Sequence, residues 1–205
     1  MFSLEDGEFL IKCARNAIKN YFEDERIPKV DAPKRLLEKR GVFVTLEEYP
    51  SKELRGCIGY PQAIKPLADA VADSAINAAF FDSRFEPLTL DELGKCTIEI
   101  SVLTEPETIK VNNCKEYPQK IKVGKDGLII ECNYSAGLLL PIVPVEQKWD
   151  EEEFLSHICY KAGLPPDSWL DPKAKLYKFQ SQIFAEETPG GKVGEIKLED
   201  LIRDK

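Results

Sequence analysis

The stretch Leu54-Arg55-Gly56-Cys57-Ile58-Gly59 carries more information about this protein than any other part of its sequence. We expect it to form a strand, in which successive side chains point to opposite faces. Arg55 and Cys57 then share one face, while Leu54 and Ile58 pack on the other. Because a neighbouring guanidinium favours the thiolate over the thiol, this pattern is typical of a reactive cysteine. The alternative is a structural cysteine beside an arginine that pairs with a carboxylate.

Two glycines, Gly56 and Gly59, lie within the same stretch. A glycine weakens a strand and usually marks a place where another backbone segment or a ligand comes very close. The sequence allows both interpretations, and the second places Gly56 and Gly59 among the predicted substrate-binding residues.

Strands and helices are predicted on both sides of this stretch. Val42–Glu47 is rich in β-branched and aromatic residues, so it predicts a strand that pairs with Leu54–Tyr60 across a turn. Residues 67–81 place their apolar side chains on one helical face. Cys96–Val102 alternates apolar and polar residues, as a strand with one buried face does.

The two ends of the chain add further elements. Ser3 with Asp6 resembles a capping box that opens a helix over 4–24. The C-terminal half predicts a tight hairpin at 123–128, strands at 128–132 and 137–141, a helix at 151–162 and a long strand at 175–185. Residues 188–205 are interpreted as a C-terminal tail or arm. Hairpin strands separated by single helices indicate an α+β fold with a largely antiparallel sheet flanked by helices.

Length and charge restrict the class of protein. The 205 residues fit one domain. Lys and Arg total 28 while Asp and Glu total 36, so the net charge of -8 disfavours nucleic acid and anionic membranes as partners. We predict no membrane-spanning helix, because no apolar stretch reaches the necessary length.

The cysteine and histidine content argues against the common metal sites. The six cysteines are scattered without a CxxC pair, and a single histidine, His157, cannot supply a multi-histidine site. We therefore predict no metal, and free thiols in a reducing compartment. Because the residues after Met1 do not form a basic and apolar leader, the predicted location is the cytoplasm.

Several polar residues outside the Leu54–Gly59 stretch are further candidates for the site. Asp82 and Arg84 lie in a loop after a helix and are expected to form a local ion pair, which either braces the loop or serves a function. Asn77 either satisfies a buried backbone group or faces a ligand. His157 is interpreted as a packing residue, because its neighbours are apolar.

Glu99 and Ser101 lie two residues apart on the polar face of the predicted 96–102 strand. A carboxylate there either pairs with Arg55 or acts as a general base. Pairing is the preferred interpretation, because a half-buried glutamate needs a partner.

Nearly the whole chain resembles the AMMECR family. The match rests on the family's LRGCIG signature at 54–59, followed in order by blocks at 77–80, 82–87, 99–103, 124–128, 137–141, 149 and 161–165. The resemblance covers about residues 5–187 and is specific. It predicts a single AMMECR-type domain over 1–205, with two lobes and with 188–205 as the tail.

The resemblance also carries expectations about architecture and partners. It implies a two-lobed fold with an antiparallel sheet, in which the signature lies near the cleft between the lobes. It implies no established activity, and the cofactor stays unknown. Family members are linked by gene neighbourhood or fusion to Memo-type and radical-SAM proteins, which implies a shared pathway or complex.

Two functions fit these residues. The first is an enzyme acting on a small anionic or carbonyl-bearing molecule, with Cys57 as nucleophile or acid and Arg55 orienting the anion. Glu99 or Asp82 would then move protons. The residues predicted to bind the substrate are Gly56, Gly59, Asn77, Asp82, Arg84 and Ser101. The second function, ranked slightly lower, is a non-catalytic binding or scaffold module in which Cys57 is a packing residue.

Overall fold

The computed structural model of the chain describes residues 1–26, 29–198 and 200. These residues fall into two compact units. The first unit contains Met1–Leu103 and Gln182–Ile196, and the second contains Thr104–Ser181 with the described residues after Ile196. Helices combine with two separate sheets, and this combination confirms the predicted α+β class. Two strand pairs in each sheet illustrate the antiparallel arrangement: residues 41–48 pair with 54–60 and with 96–103, and residues 127–132 pair with 135–139 and with 175–179.

The described elements are numbered in chain order. The helices are α1 (Leu4–Asp24), α2 (Leu67–Phe80), α3 (Leu90–Leu93), α4 (Tyr117–Lys120), α5 (Ile142–Gln147) and α6 (Glu151–Lys161). The strands are β1 (Gly41–Glu48), β2 (Leu54–Tyr60), β3 (Cys96–Leu103), β4 (Glu107–Thr108), β5 (Gly127–Cys132), β6 (Ser135–Leu139), β7 (Lys175–Phe179), β8 (Ser181–Glu186) and β9 (Val193–Ile196). Short 3-10 turns occur at Lys34–Leu37, Cys114–Glu116 and Ser168–Leu170.

The first unit is built on a five-stranded sheet with the order β2-β1-β3-β8-β9. The predicted hairpin of β1 with β2 is confirmed, and β1 also pairs antiparallel with β3. The apolar residues of these strands form one core with α1 and α2. Since side chains alternate along a strand, Thr45, Cys57, Glu99 and Ser101 lie on the other face of the sheet.

Helix α1 follows directly from its sequence pattern. The Ser3 hydroxyl accepts a hydrogen bond from the Asp6 N–H, and the Asp6 carboxylate accepts one from the Ser3 N–H, so the predicted capping box is present. Leu10, Ala14 and Ile18 are fully buried at helical spacing. This stripe fixes the face that α1 presents to the core.

The second unit is built on a four-stranded sheet with the order β4-β7-β5-β6. Helix α6 opens with a capping box between Asp150 and Glu153, and Gly163 follows it with a φ of 71°. Phe154 and Ile158 of α6 are fully buried against residues of β5 and β7. The predicted helix at 151–162 is therefore confirmed to within one residue.

The predicted hairpin at 123–128 is wrong. This segment is the turn between α4 and β5, because the residues before it are helical and not a strand. The positive φ occurs at Gly124, at 77°, and not at Gly127, which is the first residue of β5. The Asp126 carboxylate closes the turn by accepting a hydrogen bond from the Lys122 N–H at 3.0 Å.

The predicted long strand at 175–185 is two strands in different sheets. It divides at Gln180 into β7 and β8. Gln180 and Thr104 exchange hydrogen bonds at the division, since the Thr104 N–H donates to the Gln180 carbonyl and the Gln180 N–H donates to Thr104 Oγ1, both at 2.9 Å. A run of alternating residues does not show where a chain leaves one sheet for another.

Part of the segment interpreted as a tail belongs to the first unit. Within 188–205, Val193–Ile196 forms β9 and pairs antiparallel with β8. Residues 201–205 of that prediction lie outside the described residues. No helix in the described part of the chain is both long and apolar enough to cross a membrane.

Candidate functional site

The predicted signature strand is β2, which lies at one edge of the five-stranded sheet. Its two glycines have a packing role. A Cβ atom on Gly56 would overlap the backbone oxygen of Ala78 in α2, and one on Gly59 would overlap Val42 and Phe43 of β1. The close approach is therefore made by protein backbone on both sides of β2. Substrate binding by Gly56 and Gly59 stays a prediction.

Three polar side chains form a row across the polar face of the sheet. Thr45 of β1 is paired with Cys57 of β2 on one side and with Glu99 of β3 on the other. The Thr45 hydroxyl donates to Cys57 Sγ at 3.3 Å. Ser101 lies next to this row on β3 and is buried, and its Oγ has no hydrogen-bond partner among the residues that the structure describes. The sequence predicted Cys57, Glu99 and Ser101 as candidates but did not identify Thr45.

Burial controls the state of the Cys57 thiol. It raises the pKa of Cys57, and the charges of Glu99 and Asp82 raise it further. The Thr45 hydrogen bond and the Arg84 guanidinium act in the opposite direction and do not compensate. The thiol is therefore protonated at neutral pH. The cation that acts on it is Arg84 and not the expected Arg55.

Asp82 and Arg84 form the predicted ion pair, and the pair is attached to Cys57. Arg84 donates to Asp82 from Nε at 2.9 Å and from Nη2 at 2.6 Å. Asp82 Oδ2 accepts the Cys57 N–H at 2.9 Å, and Arg84 Nη2 donates to the Cys57 carbonyl at 3.2 Å. Since β2 is an edge strand, the loop after α2 covers backbone groups that an exposed edge would leave open.

Asp82 stabilises the fold only while it is ionised, because its hydrogen bonds are made by the carboxylate. These bonds, those from Arg84 first, lower its pKa from 3.8 to about 2. A depressed folded-state pKa gives stability that is present above the unfolded value and is lost as the pH falls. We therefore expect Asp82→Asn to lower the free energy of unfolding at pH 7, and this difference from wild type to shrink between about pH 4 and pH 2.

Urea unfolding of both proteins from pH 7 down to pH 2 measures this difference. The exposed Asp31 provides the control, and Asp31→Asn is expected to follow wild type throughout. A difference between Asp82→Asn and wild type that stays constant down to pH 2 would show that the Asp82 charge does not stabilise the loop.

Arg55 is buried and has partners that the sequence did not identify. Its ion pair is with Glu92 of α3, where Nε and Nη2 lie 3.3 and 3.2 Å from Glu92 Oε1. Nη2 also donates to the Glu86 carbonyl at 2.9 Å, and the Phe85 ring centroid lies 5.9 Å from Cζ. The Nε–Nη2 edge is occupied by Glu92, so it is not open for the bidentate contact that was expected with an anion.

The Asn77 side chain makes a hydrogen bond within its own helix. Its Nδ2 donates to the carbonyl of Asp73, one turn earlier in α2, at 2.8 Å. This fits the first of the two predicted roles, a bond to a buried backbone group. Asp73 is itself buried and bonded to Tyr60 and Lys65, a cluster that no sequence pattern indicated.

His157 belongs to the second unit, whereas Cys57 belongs to the first. The imidazole stacks on Trp149 with the ring centroids 3.7 Å apart and an interplanar angle of 6°. Tyr160 meets the same imidazole edge-on at 5.6 Å. These ring contacts fit the predicted packing role of His157. In the described residues no group of three or more His, Cys, Asp or Glu side chains is placed to hold a metal ion.

Comparison with known proteins gives consistent matches along the chain. The AMMECR1 family model matches residues 11–184. Protein MJ0810 of Methanocaldococcus jannaschii is 53% identical over 198 residues, covering 97% of this chain and 98% of that protein. Protein MK0488 of Methanopyrus kandleri is 52% identical over 198 residues, covering 96% of each. The fold is similar to the crystal structure of uncharacterized protein PH0010 from Pyrococcus horikoshii, with a TM-score of 0.90, 51% identity, and coverage of 94% of this chain and 97% of that one.

Proposed function

The chain belongs to the AMMECR1 family, and from that premise we propose that it is an enzyme that moves protons on a small anionic or carbonyl-bearing molecule. The observation that carries the proposal is the row of Cys57, Thr45 and Glu99 on the polar face of the sheet. This row places a proton donor on β2 and a carboxylate on β3, on either side of Thr45 in β1, with the buried Ser101 hydroxyl beside Glu99 on β3. The pair can deliver a proton to one atom of a ligand and remove a proton from another.

Cys57 is the acid in this proposal. Because its pKa is raised, the thiol keeps its proton at neutral pH. Thr45 donates to the sulfur, so the thiol proton itself is not used in that bond. Arg84, whose side chain is 49% exposed, supplies positive charge next to Cys57 for an anionic group of the substrate. A thiolate nucleophile fits this environment less well.

Glu99 is the proton acceptor. Asp82 fits that role poorly, because its hydrogen bonds hold its pKa near 2. In the proposed step the Glu99 carboxylate takes a proton from the carbon next to a carbonyl, while the Cys57 thiol gives its proton to the carbonyl oxygen. The C–H electron pair becomes the carbon–carbon double bond of an enol, and the carbonyl π pair forms the new O–H bond. Reversal of the step with protons from solvent regenerates the substrate.

Deuterium exchange tests this step. The protein is incubated in D2O with pyruvate, 2-oxoglutarate, acetoacetate and dihydroxyacetone phosphate, and the loss of the carbon-bound proton is followed by NMR. We expect exchange above the rate without protein, and a loss of about 10²–10⁴-fold in Cys57→Ser and in Glu99→Gln. Cys114→Ser, which replaces a half-buried free thiol of the second unit, is the matched control and should exchange like wild type.

Exchange that is absent with wild-type protein, or equal in Cys57→Ser and wild type, would overturn the enzyme proposal. Either result would favour the second candidate, a non-catalytic binding or scaffold module. One observation supports that candidate: Asp82 and Arg84 are occupied in holding the loop to the backbone of Cys57. Its partner would be a Memo-type or radical-SAM protein, and co-purification with such a protein should then be the same for wild type and Cys57→Ala.

We place the protein in the cytoplasm. All six cysteines are free in the structure, including the half-buried Cys13, Cys57 and Cys114. Free thiols are typical of a reducing compartment.

A further inference from the structure

A small cavity of about 160 Å³ lies at the end of the sheet where the β1–β2 turn meets the start of β3. Its walls are Glu48, Tyr49, Arg55, Glu92, Lys95 and Cys96. Cys57 is not among them, so the cavity is distinct from the row of Cys57, Thr45 and Glu99. Its volume corresponds to about five water molecules, which is enough for a small ion with its first contacts.

Arg55, which lines this cavity, carries an unused hydrogen-bond donor. Its side chain is 9% exposed, and Nη1 is buried with no hydrogen-bond partner among the described residues, whereas Nε and Nη2 are engaged by Glu92 and Glu86. A buried donor without an acceptor is costly to the folded state. Nη1 has almost no accessible surface in this structure, so an acceptor atom that enters the cavity reaches it, and removes that cost, only after a movement of the Arg55 side chain.

The charges around the cavity indicate which acceptor fits. Lys95 is exposed and lines the cavity together with Arg55, so two cations face the same space. Glu92 is 40% exposed and forms an ion pair with the Arg55 guanidinium, and Glu48 also lines the cavity. These two carboxylates repel anions, so the cavity accepts only a ligand with a small negative charge. We propose that this cavity binds a small oxyanion, either an inorganic phosphate or a carboxylate, through Arg55 Nη1 and Lys95.

Replacement of Glu92 by glutamine tests the proposed oxyanion binding. Its Oε2 accepts the Thr89 N–H and hydroxyl, both at 2.8 Å, which forms the capping box of α3. A glutamine at this position keeps a capping box. Glu92→Gln therefore removes the competing negative charge at Arg55 while preserving the local structure, and it should tighten oxyanion binding.

Binding is measured with the full chain at low ionic strength by titrating in phosphate and, separately, acetate while following backbone amide NMR signals. We expect Arg55→Gln to weaken binding at least about tenfold and Glu92→Gln to strengthen it about threefold or more. Lys95→Gln should weaken binding about threefold and flatten its salt dependence. Arg40→Gln is the matched control: Arg40 also has a buried Nε with no partner in the described part of the chain but does not line this cavity, and its replacement should change nothing.

Equal weakening in Arg40→Gln and Arg55→Gln would show that the ions respond to surface charge in general, and the proposal would fall. It would fall equally if Glu92→Gln bound no more tightly than wild type. If Arg55→Gln does not fold, Glu92→Gln and Lys95→Gln decide the question alone, because glutamine keeps the capping box of α3 and Lys95 is exposed. Deuterium exchange of the substrate's carbon-bound proton is a separate readout, so either proposal can fail without the other.

Discussion

Replacing Glu186 by alanine is expected to lower the free energy of unfolding by about 3–5 kcal/mol. The Glu186 side chain is 2% exposed, and its carboxylate accepts Arg15 Nε at 2.8 Å, Arg15 Nη2, and the Ile98 N–H at 3.0 Å. Removing it leaves the Arg15 guanidinium, whose side chain is only 11% exposed, with its charge unpaired. Such a charge costs several kcal/mol, because it has lost both water and its partner.

The effect of Glu186 extends over much of the first unit. Arg15 also donates to the carbonyls of Leu93 at 3.0 Å and Cys96 at 2.8 Å. The pair therefore joins α1 to β8, to β3 and to the end of α3. Loss of Glu186 frees the Ile98 N–H as well, so a backbone donor is unsatisfied in addition to the charge.

Urea unfolding provides the measurement, and a double variant separates the charge from the packing. Arg15→Met with Glu186→Leu removes both charges together, so it should be markedly more stable than Glu186→Ala. The exposed pair of Lys192 and Glu187, 3.6 Å apart, is the control. Glu187→Ala should cost less than about 1 kcal/mol. A cost for Glu186→Ala no greater than that of Glu187→Ala would contradict the expectation.

The sequence does not reveal this pair, since Arg15 and Glu186 are 171 residues apart. The capping boxes at Ser3, Thr89 and Asp150 are visible in the sequence, because both partners lie within four residues. Local patterns thus predict where helices begin and end. They do not predict which charged side chains meet once the elements pack.

The same limit applies to the candidate site. The strand periodicity correctly placed Cys57 on a polar face, but the predicted inward packing of Leu54 is wrong, because a register shift between Leu46 and Glu47 pairs Glu47 with Leu54 and Leu54 is exposed. The ion pair of Asp82 with Arg84 was predictable because the two residues are close in sequence. The contact of Asp82 with Cys57 spans 25 residues, and that of Arg55 with Glu92 spans 37. The sequence consequently assigned to Arg55 the electrostatic influence on Cys57 that the fold gives to Arg84.

The state of the thiol could not be predicted for a different reason. A guanidinium two residues away suggests a thiolate, whereas burial opposes any charge at that position. How deeply a side chain is buried depends on elements that pack from elsewhere in the chain. For Cys57 burial is the larger effect, so its pKa rises and the chemistry available to it is that of an acid.

Gly56→Ala is the second change with a large expected effect, a loss of about 3 kcal/mol in the free energy of unfolding. The added Cβ would overlap the carbonyl oxygen of Ala78 within α2. Ala78 is fully buried in the last turn of α2, so its carbonyl cannot turn away without disturbing the end of the helix and the loop that follows it. Either α2 must move away from β2 or β2 must shift at Cys57, and both changes disturb packing in the core.

Gly94→Ala is the matched control, because a Cβ there would meet its nearest neighbour, the Asp91 oxygen, at an ordinary 3.5 Å. Gly94 has helical backbone angles, so alanine should stabilise the protein by about 0.4–1 kcal/mol. Adding Ala78→Gly to Gly56→Ala should give no rescue, since the obstructing atom belongs to the backbone and is present in every residue type. Rescue by Ala78→Gly, or a Gly56→Ala protein as stable as wild type, would show that the glycine is retained for something other than the approach of α2, and contact with a ligand would then become its better explanation.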